Sequence, residues 1–163
     1  MKIYLIGMPG SGKSTFGQRL STVMRLPFID TDSLIEESQN QTISQIFEES
    51  GEDHFRKLEK EVLHSIDQTE SIISTGGGMP CFSDNLEYMK KTGKVVFLDV
   101  EIEKLAKRVN SESGSRPLLE EKGDELLNSL AEKRKERLKF YEQANVILKD
   151  DEISIQKAMG YLN

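Results

Sequence analysis

The sequence has no tryptophan, a single cysteine, two histidines and four prolines in 163 residues. One thiol, Cys81, cannot close an intrachain disulfide; that suits a reducing compartment and leaves Cys81 as a small apolar filler rather than a reactive group. His54 and His64 lack cysteine or carboxylate partners at ligand spacing, so they are not read as metal ligands. No apolar stretch is long enough to span a membrane, and the run Ile3 to Ile6 is too short for a secretory signal, so a cytoplasmic protein is expected. There is no basic stripe either. The 22 Lys and Arg are outnumbered by 28 Asp and Glu for a net charge of -6, which argues against a nucleic-acid surface but leaves room for a small anion held locally. Neither repeat, linker nor low-complexity tract divides the chain, and its length suits a single domain with a sizeable core.

What the sequence does have is Gly7-Met8-Pro9-Gly10-Ser11-Gly12-Lys13-Ser14, between the apolar run Ile3 to Ile6 and a helical pattern. This fits the phosphate-binding loop G-x-x-x-x-G-K-[ST] in its proper strand-to-helix context. Glycines there let successive backbone N–H groups turn toward phosphate oxygens, the helix N-terminus adds its positive end, and Lys13 adds a full charge. Ser14 offers a hydroxyl to Mg²⁺.

Ile3 to Ile6 is continuously apolar, as a strand buried on both faces should be. A helix follows, with Phe16, Leu20, Val23 and Met24 as its core stripe, up to Pro27. Pro27 to Asp30 reads as a second strand that delivers Asp30-Thr31-Asp32 at its C-terminal end, where open parallel sheets bind ligands; Asp32 also suits a helix N-cap. Thr42-x-x-Gln45 resembles a capping box for a helix whose Ile43, Ile46 and Phe47 share one face and that ends near Gly51. The next helix buries Phe55, Leu58, Val62 and Ile66, while Arg56, Lys57, Glu59, Lys60 and Glu61 point elsewhere, mostly to solvent. Ser71 to Thr75 is a third strand running into Gly76-Gly77-Gly78, where a ligand can approach the backbone closely. Ser83 and Asp84 open a helix that closes at Gly93, and Lys94 to Val100 is a fourth strand. Ile102, Leu105, Ala106 and Val109 mark another helix; Asn110 to Gly123 is polar and loop-like, of a length typical of lids. A helix from about Asp124 to Ala144 turns Leu127, Leu130, Leu138 and Tyr141 inward, Val146 to Leu148 is a fifth strand, and a helix through Ile155, Ala158, Met159 and Leu162 closes the chain. Alternating strands and helices imply βαβ crossovers, and hence a three-layer α/β fold with helices on both faces of a parallel sheet.

A phosphate loop alone fits a switch protein, an ATP-driven machine or a small-molecule kinase. No Asn-Lys-x-Asp guanine-reading motif occurs, and the chain has no room for the oligomerising or sensor segments of a motor. The remaining expectation is a small enzyme that holds a second substrate near the γ-phosphate, with Asp32, Arg56, the triple glycine, Arg116 and Arg137 as candidates.

Over nearly its whole length the chain resembles the shikimate kinases. The resemblance is carried by Gly7 to Ser14, Asp30-Thr31-Asp32, Gly51-Glu52-x-x-Phe55-Arg56, Gly76-Gly77-Gly78, Arg116-Pro117-Leu118-Leu119 and Arg137-x-x-x-Tyr141, in the family's order and spacing. It implies a nucleoside-monophosphate-kinase-like P-loop NTPase fold with a five-stranded parallel sheet in the order 2-3-1-4-5. The domain would span 1–163, with a substrate-binding helical segment at about 31–60 and a mobile lid at about 110–123. The implied reaction converts ATP and shikimate to ADP and shikimate 3-phosphate, on the way to chorismate and the aromatic amino acids, in a cytoplasmic monomer using Mg²⁺. By the family pattern Gly10, Ser11, Gly12, Lys13, Ser14 and Thr15 cradle phosphate, Ser14 binds Mg²⁺ directly and Asp30 through water. Asp32 meets the attacking hydroxyl, Arg56 and Arg137 hold the shikimate carboxylate, and Gly77 and Gly78 line its pocket. Arg116 closes over the phosphates, joining Lys13 and Asp32 as catalytic, and Arg108 lies against adenine. Near Leu148-Lys149-Asp150-Asp151 two acids stand where members often place a basic residue and a proline, so no adenine contact is assigned there. A kinase of gluconate or another polyol acid, and a nucleotide-dependent binding module without chemistry, are the alternatives; a substrate panel and ADP release discriminate them.

Overall fold

The computed structural model describes residues 1–112 and 120–162. Its strands are β1 (Lys2–Ile6), β2 (Phe28–Asp30), β3 (Ser71–Ser74), β4 (Gly93–Asp99) and β5 (Val146–Lys149). All pair in parallel, in the order β2-β3-β1-β4-β5. The helices are α1 (Lys13–Met24), α2 (Thr31–Gln39), α3 (Ile43–Ser65), α4 (Asn85–Thr92), α5 (Ile102–Glu112), α6 (Glu120–Tyr141) and α7 (Ile155–Leu162).

Side chains alternate across a strand, so β1 divides its apolar run between two cores. Tyr4 and Ile6 join Ile73, Val95 and Phe97 under Leu63, Met89, Leu105 and Tyr141. Ile3 and Leu5 join Ile72, Val96 and Leu98 under Phe16, Leu20, Ala158 and Leu162 on the other face. Ile35, Ile46, Phe55 and Leu58 form a separate cluster between α2 and α3. That satellite gives the segment at 31–60 its own small core beside the sheet.

The register brings the functional stretches together. Leu5 pairs with Ser74 and Asp30 pairs with Ser74 from the other side, so the ends of β1, β2 and β3 lie level. The phosphate loop, Asp30 and the triple glycine therefore leave the sheet along one edge, at its carboxyl end.

Several expectations need correction. Val23 is 56% exposed, because the buried part of α1 ends at Leu20 with Met24 half-buried beyond it. Asp32 is not a cap: Asp30 caps α2, its Oδ1 accepting from the N–H groups of Asp32 and Ser33, which leaves Asp32 in the first turn. The capping box at Thr42 and Gln45 is present, and Gly51 breaks α3 with φ 78 and ψ 175. Phe47 remains 36% exposed, although its ring meets that of Phe55 at 4.7 Å. Neither Ser83 nor Asp84 caps α4 through a side-chain hydrogen bond; Ser83 takes a left-handed turn and Asp84 pairs with Lys60 at 2.8 Å. The stretch expected as a loop from Asn110 to Gly123 is helical at both ends, in α5 and α6. Residues 113–119, Arg116 among them, lie outside the described residues.

Candidate active site

The phosphate loop runs from β1 into α1, with Gly7, Gly10 and Gly12 all at positive φ and Gly12 at the N-cap of the helix. Lys13 folds back across it. Its Nζ donates to the carbonyls of Gly7 at 3.0 Å and Met8 at 2.9 Å and to Ser11 Oγ at 3.3 Å, so the ammonium spans the concave side of the loop. Ser14 Oγ donates to Asp30 Oδ2 at 2.7 Å and lies 3.3 Å from Ser74 Oγ. Among the described residues no group of three or more His, Cys, Asp or Glu could hold a metal. A hydroxyl beside a carboxylate instead fits Mg²⁺, which keeps several waters and takes few protein oxygens besides phosphate.

Asp32 faces the same cleft, a hollow of about 280 Å³ that Lys13, Ser14, Asp30, Gly76 and Gly77 also line. Its Oδ1 is buried without a hydrogen-bond partner. Burial, chiefly, and the neighbouring Asp30 carboxylate push the pKa of Asp32 up, while Lys13 and Arg56 pull it down. A carboxylate with an unspent buried oxygen beside a phosphate cradle is placed to accept a proton or a hydroxyl hydrogen bond.

A second carboxylate converges here. A β-carbon on Gly76 would sit 2.8 Å from Asp32 Oδ1 and 3.0 Å from Glu59 Oε1, so the two acids approach one another across that glycine. Glu59 was expected among the outward charges of α3, yet it is 1% exposed. Burial, foremost, raises its pKa to about 7 against the pull of Arg56, with Asp32 pushing it further up. Arg56 Nη1 donates to Glu59 Oε2 at 2.6 Å, and Nε and Nη2 donate to Glu52 Oε1 at 3.3 and 3.2 Å.

The triple glycine lies between two arginines. A β-carbon on Gly78 would fall 2.6 to 2.9 Å from the guanidinium of Arg56, and one on Gly77 would fall 3.1 Å from Arg137 Nη1. Side chains at these positions would displace the arginines. Tyr141 Oη donates to the Gly77 carbonyl at 2.6 Å and ties α6, which carries Arg137, to the same segment. Arg134, one turn before Arg137, pairs with Asp99 at 2.7 Å and fixes α6 to the end of β4. Two planar forks thus stand against the glycine segment whose Gly76 and Gly77 line the cleft that holds Asp32, an arrangement suited to a carboxylate ligand. Cys81 is half-buried beside them, its thiol pushed up to about 11 by burial, which makes it a poor nucleophile.

On the other side of the loop, Arg108 Nη1 donates to the Gly10 carbonyl at 3.2 Å. Arg108 borders a second hollow of about 560 Å³ with Thr15, Arg19 and Ile153 to Ile155. Sequence reasoning found Arg108 but missed Arg19 and the Ile153 stretch, which carry no motif. Asp150 has a structural use: it accepts from the Glu101 N–H and from Lys104 Nζ, both at 3.3 Å, joining β5 to the start of α5. Sequence reasoning also missed Glu59, although its spacing of four residues from both Phe55 and Leu63 puts it on the buried face of α3, and Arg134, which its pairing with Asp99 marks.

An open parallel sheet with a glycine-lined cradle, lysine and hydroxyl at its carboxyl edge, and a polar acceptor cleft beside the cradle, defines the P-loop kinases. A Shikimate kinase family model matches residues 9–162. The shikimate kinase of Bacteroides fragilis is 44% identical over 173 aligned positions, covering 100% of this chain and 97% of that protein. The crystal structure of shikimate kinase from Bacteroides thetaiotaomicron superposes with a TM-score of 0.90 at 40% identity, covering 99% of this chain and 98% of the other. That of shikimate kinase from Acinetobacter baumannii in complex with shikimate has a TM-score of 0.83 at 31% identity, covering 97% and 87%. The chain belongs to the shikimate kinase family.

Proposed function

We propose that this protein transfers the γ-phosphate of ATP to the 3-hydroxyl of shikimate, giving ADP and shikimate 3-phosphate. The observation that carries this is the placing of Asp32, with an unpartnered buried oxygen, in one hollow with Lys13, while Arg56 and Arg137 border the adjoining glycines. Gly10 to Thr15 bind the phosphates, and Lys13 exchanges its carbonyl contacts for phosphate oxygens. The acid's carboxylate is held by Arg56 and Arg137, against the backbone of Gly77 and Gly78, which aims the hydroxyl at Asp32. The hydroxyl oxygen forms a bond to the γ-phosphorus as the bond from that phosphorus to the bridging oxygen breaks, and the hydroxyl proton passes to Asp32 or is oriented by it. Ser14 and Asp30 would hold Mg²⁺, which when bound neutralises charge on the β- and γ-phosphates. Arg108 borders the hollow proposed for adenine, and Arg116 is assigned to the phosphates by its sequence block. Among the described residues no helix is long and apolar enough to cross a membrane; we take the enzyme to be a cytoplasmic monomer.

ADP release, measured by a coupled assay over shikimate, gluconate and other hydroxy acids, tests the reading. Turnover should require shikimate, exceeding every other acid by at least about tenfold, roughly 1.4 kcal/mol in transition-state binding. Preferred turnover of a polyol acid would replace the substrate, and no ADP release with any acid would overturn the enzyme reading.

A further inference from the structure

Arg56 is held at its edges by Glu52 and Glu59, and edge hydrogen bonds resist a tilt of the guanidinium plane less than they resist a shift within it. The tilt is opposed by a ring. The Arg56 Cζ lies over the face of Phe82 at 4.0 Å from the ring centroid, closer than its 5.3 Å to Phe55. Among the described residues Phe82 is one of the few large apolar side chains left open to water, at 36% exposure.

The ring stands on a stiff segment. After the triple glycine the chain makes a tight turn through Met79–Cys81, closed by the Met79 N–H to the Gly76 carbonyl at 3.1 Å and the Cys81 N–H to the Gly78 carbonyl at 2.9 Å. Asn85 Nδ2 donates to the Met79 carbonyl at 2.9 Å from beyond it. Gly78 and Phe82 thus meet the same guanidinium from one short, internally bonded stretch. Gly78 leaves it room, and Phe82 covers it.

We propose that Phe82 is a positioning residue for the acid-binding arginine, its ring face holding the Arg56 guanidinium in the orientation that receives the substrate carboxylate. This rests on the reading of Arg56 as a substrate-carboxylate ligand. A cation over an aromatic face is attracted by the ring quadrupole, more strongly when partly desolvated, as Arg56 is. Pre-set orientation lowers the ordering cost of binding, so the effect falls on shikimate affinity and leaves the nucleotide untouched.

The test incorporates mono-, di- and trifluorophenylalanine at position 82 beside Phe82→Leu and Arg56→Lys, with KM for shikimate, KM for ATP, kcat and Tm measured for each. Fluorination keeps the ring's shape and drains its face of negative charge, a change to which simple packing is nearly blind. The shikimate KM should rise stepwise with each fluorine and by about three- to tenfold in Phe82→Leu, while ATP KM, kcat and Tm stay near wild type. A flat fluorine series, with Arg56→Lys still raising the shikimate KM, would overturn the role of Phe82 and leave that of Arg56 standing. An Arg56→Lys enzyme with unchanged shikimate KM would overturn the reading of Arg56, and the role of Phe82 with it.

Discussion

At the residue scale the site is governed by the few charges that the fold takes out of water. Glu59 shows the point: one position on a charged helix, 1% exposed, with Arg56 at 2.6 Å and the Asp32 carboxylate across Gly76. Helical spacing does set it apart from Lys60 and Glu61, since Glu59 lies four residues after Phe55 and four before Leu63, both buried; the packing of α3 against the glycine segment then supplies its partners. Its pKa of about 7 stands above the ordinary 4.5, so the folded state holds a proton that the unfolded chain releases. The stabilisation from this proton is complete below about 4.5 and is lost as pH rises to and through 7. Wild type should therefore lose stability relative to Glu59→Gln between those limits, by on the order of 3 kcal/mol at about 1.4 kcal/mol per pH unit. Urea unfolding of both proteins at pH 4.5, 6 and 8 measures this. Parallel pH profiles would show that Glu59 does not titrate in that window.

At the element scale, local chemistry decided what could be read in advance. Strand β1 was legible because a fully buried strand is a continuous apolar run, whereas β2 and β5 are only partly buried and show as short apolar pieces; the Thr42 cap and its helix were legible because the box is a local motif with local partners. Helix α2 was legible only in part: Asp32 suited its cap, but the cap is Asp30, the last residue of β2, and Leu34 and Ile35 alone give the helix too little apolar period to fix its bounds. Gly51 divides α3 at φ 78 and ψ 175, a region nearly confined to glycine. An added β-carbon would meet nothing within 4 Å, so the cost of substitution is backbone strain alone. Gly51→Ala should lower stability by about 1 to 3 kcal/mol, and because the break sets the direction of the half-helix bearing Arg56, the shikimate KM should rise with it. Thermal unfolding and steady-state kinetics check both; an unstrained, fully active variant would mean that the break is incidental.

At the scale of the whole molecule, two cores back a five-stranded sheet whose level strand ends assemble the site from distant segments. Alternating strands and helices were enough to read the parallel sheet and its layers. The order of strands was not, since several orders satisfy right-handed crossovers; it came only with the resemblance to a family. The candidate site divided in the same way. Lys13 and Ser14 sit in a contiguous motif, whereas Arg56 and Arg137 are far apart in sequence and meet only where α3 and α6 flank the triple glycine. We propose that these two forks read the carboxylate of the phosphate acceptor. The most direct test compares kcat/KM for shikimate and for its uncharged carboxamide in wild type, Arg56→Lys and Arg137→Lys. Charge-assisted hydrogen bonds contribute about 1.5 to 3 kcal/mol, so wild type should prefer the acid by roughly ten- to a hundredfold, and each lysine variant should lose most of that preference while its ATP KM holds. The same acid preference in all three enzymes would contradict the account.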